Sequence, residues 1–350
     1  MIMGKIEVIG VMSGTSLDGL DLCHVIFNLD NLSDFKIANS TTISYPKKIL
    51  EKLHNIVEKN IDQIHKIDID YGTFIGEAIN DFISSFNLND IDLISSHGHT
   101  VFHQPDIGKT LQIGNGMIIN KITGIKTVNN FREQDVKLGG QGAPLVPIGD
   151  KLLFKKYKYC LNLGGFVNIS IKKSNKIFAY DICPLNTVLN FYSKKIGHEY
   201  DYNGNFSNTG MINNNLFNEL NELSFYFEKH PKSLGIEFVL ELIFPIIDKY
   251  KLSEIDVLAT YIKHAAFQIS KNISDNEKVL ISGGGSFNNT LIKTLKNYGI
   301  NISMPNKLII NYKESLIFAL LGYLRLNNKT NCLKSVTGAV RDHSSGDIHG

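Results

Sequence analysis

Hydrophobic positions come first in short, nearly unbroken runs and later in helical spacings. Residues 5–12, K-I-E-V-I-G-V-M, have the pattern of a buried strand. A small-residue turn, Ser13-Gly14-Thr15-Ser16, separates it from a second apolar run at 20–29. A third strand fits 35–45, helical spacing follows at 47–60 and 71–86, and 91–96 is a short buried strand. The same grammar then recurs. Residues 157–163 predict a strand, Gly164-Gly165 a turn, 166–172 the return strand and 176–182 a third. A helix is expected from about Leu185, then helices over 235–251 and 253–271. A strand at 278–281 runs into Ser282-Gly283-Gly284-Gly285, and a last helix covers 313–326.

This is a repeat of topology rather than of residues. It predicts an α/β protein of two lobes, each a mixed sheet flanked by helices. The order of elements puts residues 1–126 plus 310–350 in lobe I and 127–309 in lobe II. With 350 residues the chain is long enough for two such cores.

Composition narrows the function classes. The chain is 43% hydrophobic and 20% charged with a formal net charge of +2, so no charge excess argues for a nucleic acid or membrane surface. Cys23, Cys160, Cys183 and Cys332 form no C-x-x-C pair, which fits a reducing, cytoplasmic setting. Residues 1–11 are interrupted by Lys5 and Glu7 and read as a strand rather than a signal peptide.

Three glycine turns are candidate phosphate or nucleotide sites. In the first, Ser13, Gly14, Thr15, Ser16 and Gly19 leave backbone N–H groups to point at an anion, and Asp18 can face a metal ion. A hairpin turn with a solvated Asp fits the same spacing. Gly164 and Gly165, between Asn162 and Asn168, fit either a phosphate contact or a plain β-turn. Gly283, Gly284 and Gly285 follow a strand directly, where bare backbone lets a flat ligand lie close. Asp181, ending a strand ahead of Pro184, is either a ligand-facing carboxylate or a helix cap. In Ser96-His97-Gly98-His99, the H-x-H spacing on a strand would suit zinc, with His103 as a third ligand. Recognition of substrate hydroxyls or a structural role fits these histidines too. Arg132, Glu133, Gln134 and Asp135 with 139–144, then 232–237, and Glu314 are further polar groups in loops or at a helix start.

Taken together, these stretches resemble the anhydro-N-acetylmuramic acid kinases, in the superfamily of sugar kinases, actin and heat-shock ATPases. The likeness rests on G-V-M-S-G-T-S-L-D-G-L-D from Gly10, S-H-G-H-T-V-F-H from Ser96 and N-N-F-R-E-Q-D-V from Asn129. It continues through G-G-Q-G-A-P-L-V-P from Gly139, N-L-G-G-F-V-N-I from Asn162, D-I-C-P-L-N from Asp181, K-S-L-G-I-E-F from Lys232 and S-G-G-G-S-F-N from Ser282. The resemblance implies an actin-like ATPase fold with ATP and Mg²⁺ in the interdomain cleft, and a homodimer. It implies phosphorylation of 1,6-anhydro-N-acetylmuramic acid with hydrolytic ring opening, a step of peptidoglycan recycling. Asp181 matches the family's catalytic base. The glycine turns match its ATP-binding segments, Asp18 is the candidate Mg²⁺ ligand, and His97, His99, Asn186 and Glu314 are the expected substrate contacts. The sequence departs from the family at Cys183 and Leu185, where glycines are usual, at His99 for Gln and at Ile236 for Arg. These departures keep open a second reading, a nucleotide- or sugar-binding relative with weak or altered kinase activity.

Overall fold

In the computed structural model, residues 4–14, 17–174, 176–274 and 276–350 are described. The chain divides into Met1–Lys155 with Tyr312–Gly350 as one unit, and Lys156–Asn311 as the other.

The first unit is built on a six-stranded sheet. Its centre is β1 (Lys5–Ser13), antiparallel to β2 (Leu20–Asn28), which pairs antiparallel with β3 (Phe35–Ile43). On its other edge β1 pairs parallel with β4 (Leu93–Ser96). A separate hairpin joins β5 (His99–Gln104) to β6 (Lys109–Ile113). The main sheet continues through β7 (Thr127–Asn129), parallel to β4. In the second unit β8 (Tyr159–Leu163), β9 (Phe166–Lys173) and β10 (Lys176–Pro184) form the same antiparallel meander. β11 (Val279–Ser282) then pairs parallel with β8, and β12 (Ile302–Ser303) parallel with β11. β13 (Asp347–His349) returns to the first sheet, antiparallel to β7. The orders β3-β2-β1-β4-β7 and β10-β9-β8-β11-β12 match strand for strand. The repeat of topology expected from the sequence is therefore real, and each unit carries a mixed sheet flanked by helices.

The strands form where β-branched and other apolar residues can be buried on both faces. Val8, Ile9, Val11, Leu22 and Val25 are all fully buried. One face of the first sheet packs on the helix Ile61–Ser85, whose Ile64, Ile67, Tyr71, Ile75, Ile79 and Phe82 recur at helical spacing and join its core. This helix begins ten residues before the expected position 71. A reciprocal capping box starts it: Gln63 N–H donates to Asn60 Oδ1 (3.0 Å) and Asn60 N–H to Gln63 Oε1 (3.1 Å).

On the other face lies the part of the helix Lys307–Leu326 that follows its interruption at Tyr312. It approaches β1 so closely that a Cβ at Gly10 would overlap the Ser315 carbonyl oxygen. Lys313 forms a buried ion pair with Asp150 (2.7 Å), and Ile317 packs where Gly149 has no side chain. Those contacts and the β4–β7 pairing put 127–155 in the first unit, correcting the expected division at 126/127. The second sheet is enclosed by the helices Asn186–Lys195, Asn214–Asn221, Glu254–Ser270 and Asn289–Asn297.

Gly10→Ala should therefore destabilise the protein by roughly 1–3 kcal/mol, the scale of an overpacked core. Urea denaturation would read this, and an unchanged midpoint would show that β1 and the helix can separate without cost.

Candidate active site

In the first unit the β1–β2 turn is held from beneath by a polar group. Ser13 is buried, and the Tyr45 hydroxyl lies within hydrogen-bonding distance of Ser13 Oγ (2.8 Å), the Gly19 carbonyl (3.0 Å) and Tyr71 Oη (3.2 Å). His99 Nδ1 lies 3.3 Å from Ser13 Oγ. Burial lowers the His99 pKa to about 4, opposed by a backbone bond to Gly14, so its imidazole is neutral near pH 7. Gly14, Gly19 and exposed Asp18 lie in this turn, while Thr15 and Ser16 are outside the described residues.

Acidic groups gather beside it. Asp21 accepts from Thr42 Oγ1 (2.6 Å). Burial raises its pKa, the Thr42 bond lowers it, and the Asp18 charge raises it further. The Glu314 pKa is raised by its protein surroundings, lowered by Arg132, and raised again by Asp21 and Asp18. Because the Glu314 side chain is open to water, the neighbouring charges say more about it than desolvation does. The Asp18 charge acts on Asp21 and both act on Glu314, a gathering of carboxylates that a divalent cation such as Mg²⁺ would relieve.

Arg132, a polar loop residue by its sequence, is central to this group. Its Nε–H donates to His97 Nε2 (2.9 Å) and its Nη1–H to the Gly142 carbonyl (2.7 Å). His97 Nδ1 lies 2.8 Å from the Gly98 carbonyl and so carries the proton. Burial and then Arg132 hold the His97 pKa well below its usual value. Both ring nitrogens are thus engaged, which revises the expectation that His97 contacts substrate directly. The zinc reading of His97, His99 and His103 fails for the same reason. Gly98, at φ +73°, turns the chain between β4 and β5, so the first two do not share a strand face. His103 is exposed and lies 3.1 Å from Thr110 Oγ1.

In the second unit the Gly164-Gly165 turn caps the start of the helix Asn186–Lys195. Leu185 N–H donates to Gly165 O (2.7 Å) and Asn186 N–H to Gly164 O (3.2 Å). Gly283 turns at φ +82°, where an L side chain is strained and would strike Asn162 and Leu163. Gly285 sits against Leu163 and Leu185. Gly284 is exposed, and a Cβ there would meet only Asn186 Nδ2 at 3.8 Å. It opens into a cavity of about 470 Å³ lined by Gly285, Asn186, Tyr200, Asp201, Asn288 and Lys307 among others. That volume suits a small organic ligand. Asn186, expected among the substrate contacts, belongs to this cavity and donates to the Leu163 carbonyl (3.1 Å). Leu185, one of the departures from the family pattern, is fully buried in the core beneath Gly285.

Asp181 lies in β10 at a register shift between Asp181 and Cys183. Its Oδ2 accepts from Leu234 N–H (2.9 Å), and among the described residues Oδ1 accepts no hydrogen bond. Burial raises its pKa and the Leu234 bond lowers it. It does not cap the following helix: the N-cap is Leu185, and no side chain caps there. An anchored carboxylate with one oxygen open can accept a proton.

A family model described as anhydro-N-acetylmuramic acid kinase matches residues 6–350. The chain belongs to the anhydro-N-acetylmuramic acid kinase family. It is 33% identical to the anhydro-N-acetylmuramic acid kinase of Aliivibrio fischeri, over 98% of this chain and 99% of that one. It is 33% identical to that of Mannheimia succiniciproducens over 99% of each chain, and 31% to that of Clostridioides difficile over 97% of each. Like its relatives of this name, the chain is matched along its whole length rather than at isolated glycine turns.

The neutral histidines make a pH prediction. His99 titrates near 4 and the buried His264, bonded to Asn221 and Tyr226, near 3, against an ordinary 6.5. Between those values the unfolded chain binds more protons, so stability should fall as pH drops from about 6.5 towards 4. Each unit of difference is worth about 1.4 kcal/mol. His99→Gln should flatten part of this dependence in denaturation curves taken across pH; identical slopes would refute the assignment.

Proposed function

We propose that this chain phosphorylates 1,6-anhydro-N-acetylmuramic acid with ATP, while water opens the anhydro ring, to give N-acetylmuramic acid 6-phosphate. The observation that carries this is the family match over residues 6–350. Membership makes the chain an ATP-dependent sugar kinase of amino-sugar and peptidoglycan metabolism. The geometry of Asp181 supports the hydrolytic half of the reaction. Its Oδ1 takes a proton from water as the water oxygen bonds to the anomeric carbon. The bond from that carbon to the bridging oxygen breaks, and the freed sugar oxygen takes the γ-phosphoryl group, leaving ADP. A positioned base of this kind contributes about 100- to 10,000-fold.

The glycine cavity takes the adenosine end of ATP, with Gly283, Gly284 and Gly285 offering backbone in place of side chains and Asn186 beside them. Gly164, Gly165 and the turn of Ser13, Gly14, Thr15, Ser16 and Gly19 serve the phosphates. Asp18, with Asp21, would hold Mg²⁺, which supplies neutralising charge to the phosphate oxygens when bound. Glu314 and His99 meet the sugar, and His97 acts through Arg132 by fixing the guanidinium. The homodimer and the cytoplasmic setting belong to the same proposal; among the described residues no helix is long and apolar enough to cross a membrane.

Asp181→Asn keeps the bond from Leu234 and removes the proton acceptor. Nucleotide binding should stay near normal while turnover on the anhydro sugar falls about 100-fold or more, read by coupled ADP release. The wild-type acid limb should lie above the ordinary Asp value of 3.8, since only the ionised carboxyl acts. Retention of most activity by the variant would remove Asp181 from the mechanism.

Gly284→Val tests the nucleotide cavity. Its neighbours leave room for the side chain in the fold, so the melting curve should be unchanged. Affinity for an ATP analogue should drop about 10-fold or more, 1.4 kcal/mol by titration calorimetry. Normal affinity would place the adenosine elsewhere.

A further inference from the structure

Away from the glycine turns, the first unit buries a second group of chemically capable side chains. Asp135, Cys332 and His343 come from segments about 200 residues apart, and their ligand atoms all lie within 4.8 Å of one another. Cys332 and His343 face each other as an antiparallel β-bridge, with paired N–H to carbonyl bonds of 3.1 Å in both directions. Asp135 is fully buried in the short helix Glu133–Lys137. Its Oδ2 accepts from Gly142 N–H (2.8 Å) and its Oδ1 from Thr337 Oγ1 (2.8 Å).

His343 gives the decisive geometry. Its Nδ1 is 3.1 Å from the Arg341 carbonyl, which can only accept, so Nδ1 carries the proton. In the neutral ring Nε2 is then an acceptor. It is buried, makes no hydrogen bond among the described residues and stands 3.4 Å from Asp135 Oδ1, another acceptor. Two buried acceptors facing each other need a cation between them, either a proton or a metal ion. Two ligand atoms each about 2.0–2.1 Å from a tetrahedral ion are about 3.3–3.4 Å apart, the spacing found here. The outer contacts match as well: metal-bound histidines donate their other N–H to a backbone carbonyl, and the ligating carboxylate is itself hydrogen-bonded.

We propose that Asp135, Cys332 and His343 bind one divalent metal ion of the zinc class, supplying three of the four ligands such an ion takes. A carboxylate oxygen, an imidazole nitrogen and a sulfur make a borderline-soft set that favours Zn²⁺ over Mg²⁺ or Ca²⁺. Burial and the Asp135 charge hold the Cys332 thiol pKa far above its usual value, and Arg132 opposes this. A bound ion would reverse it by taking the sulfur as thiolate and releasing the thiol proton to solvent. The ion would join the glycine-rich loop, through Asp135 and Gly142, to the chain segment 332–343. That loop also receives the Arg132 hydrogen bond at Gly142, so the site would brace the Arg132 environment without touching substrate.

The test uses the full chain, purified without chelator, with Zn²⁺ measured by elemental analysis and Co²⁺ as a spectroscopic probe. About one ion per chain should remain after gel filtration. The Co²⁺ form should show a thiolate-to-metal charge-transfer band, which Mg²⁺ cannot produce. Added Zn²⁺ should raise the melting temperature and a chelator should lower it. Cys332→Ser should abolish the band, and His343→Gln should weaken Co²⁺ binding by more than the 10- to 100-fold typical of losing an outer-shell partner. A wild-type protein that binds no Co²⁺, or binds it with no thiolate band, overturns the proposal. So does a folded Cys332→Ser chain that retains the band.

Discussion

The guanidinium of Arg132 is the constraint on which the first unit's polar interior depends. It is one cation set among His97, the Gly142 carbonyl and the charge of Glu314. Its planar fork donates in two directions at once, which an ammonium could not reproduce with the same geometry. One bond fixes the His97 tautomer and with it the turn through Gly98 that starts β5. The other holds the loop after the Asp135 helix. Remove the charge, and a neutral histidine and a backbone carbonyl would each be left in protein without a donor.

The strands β1, β2, β4, β8 and β11 were legible because they are buried on both faces, and an apolar run bounded by glycine turns leaves few alternatives. The β1–β2 and β8–β9 hairpins appear within two or three residues of the expected limits. The early part of the helix Ile61–Ser85 was not legible. Its I-D-I-D segment alternates with period two at the point where the helical stripe begins. The signal that could have found it was Asn60 followed by Gln63. The β5–β6 hairpin was missed for a related reason: its connection is a single 3₁₀ turn from Pro105 ending at Gly108 with φ +69°.

Legibility of the site follows sequence distance. Asp181 and the three glycine turns are local, and a short stretch is enough to raise them as candidates. Tyr200, Asp201 and Lys307 reach the glycine cavity through tertiary packing, and no spacing predicts that. The sequence marks Arg132 as polar without placing it, since its partners at His97 and Gly142 come from either side of it in the chain. The departure at Leu185 had the look of a functional change in the sequence, yet its side chain is core beneath Gly285. A residue beside a motif can alter packing while the backbone that meets the ligand stays where it was.

The division of the chain has a consequence for synthesis. Lys156–Asn311 is continuous, so its sheet and helices can assemble as soon as that stretch has left the ribosome. The first unit is interrupted, and it waits. Its meander of β1, β2 and β3 is local, but the surface around Gly10 stays uncovered until Ser315 and the helix around it have been made. For more than 150 residues of translation a finished neighbour grows while that apolar sheet face lacks its cover. Closing contacts of such long sequence separation is slow, and this interval is when the nascent chain most needs shielding from aggregation.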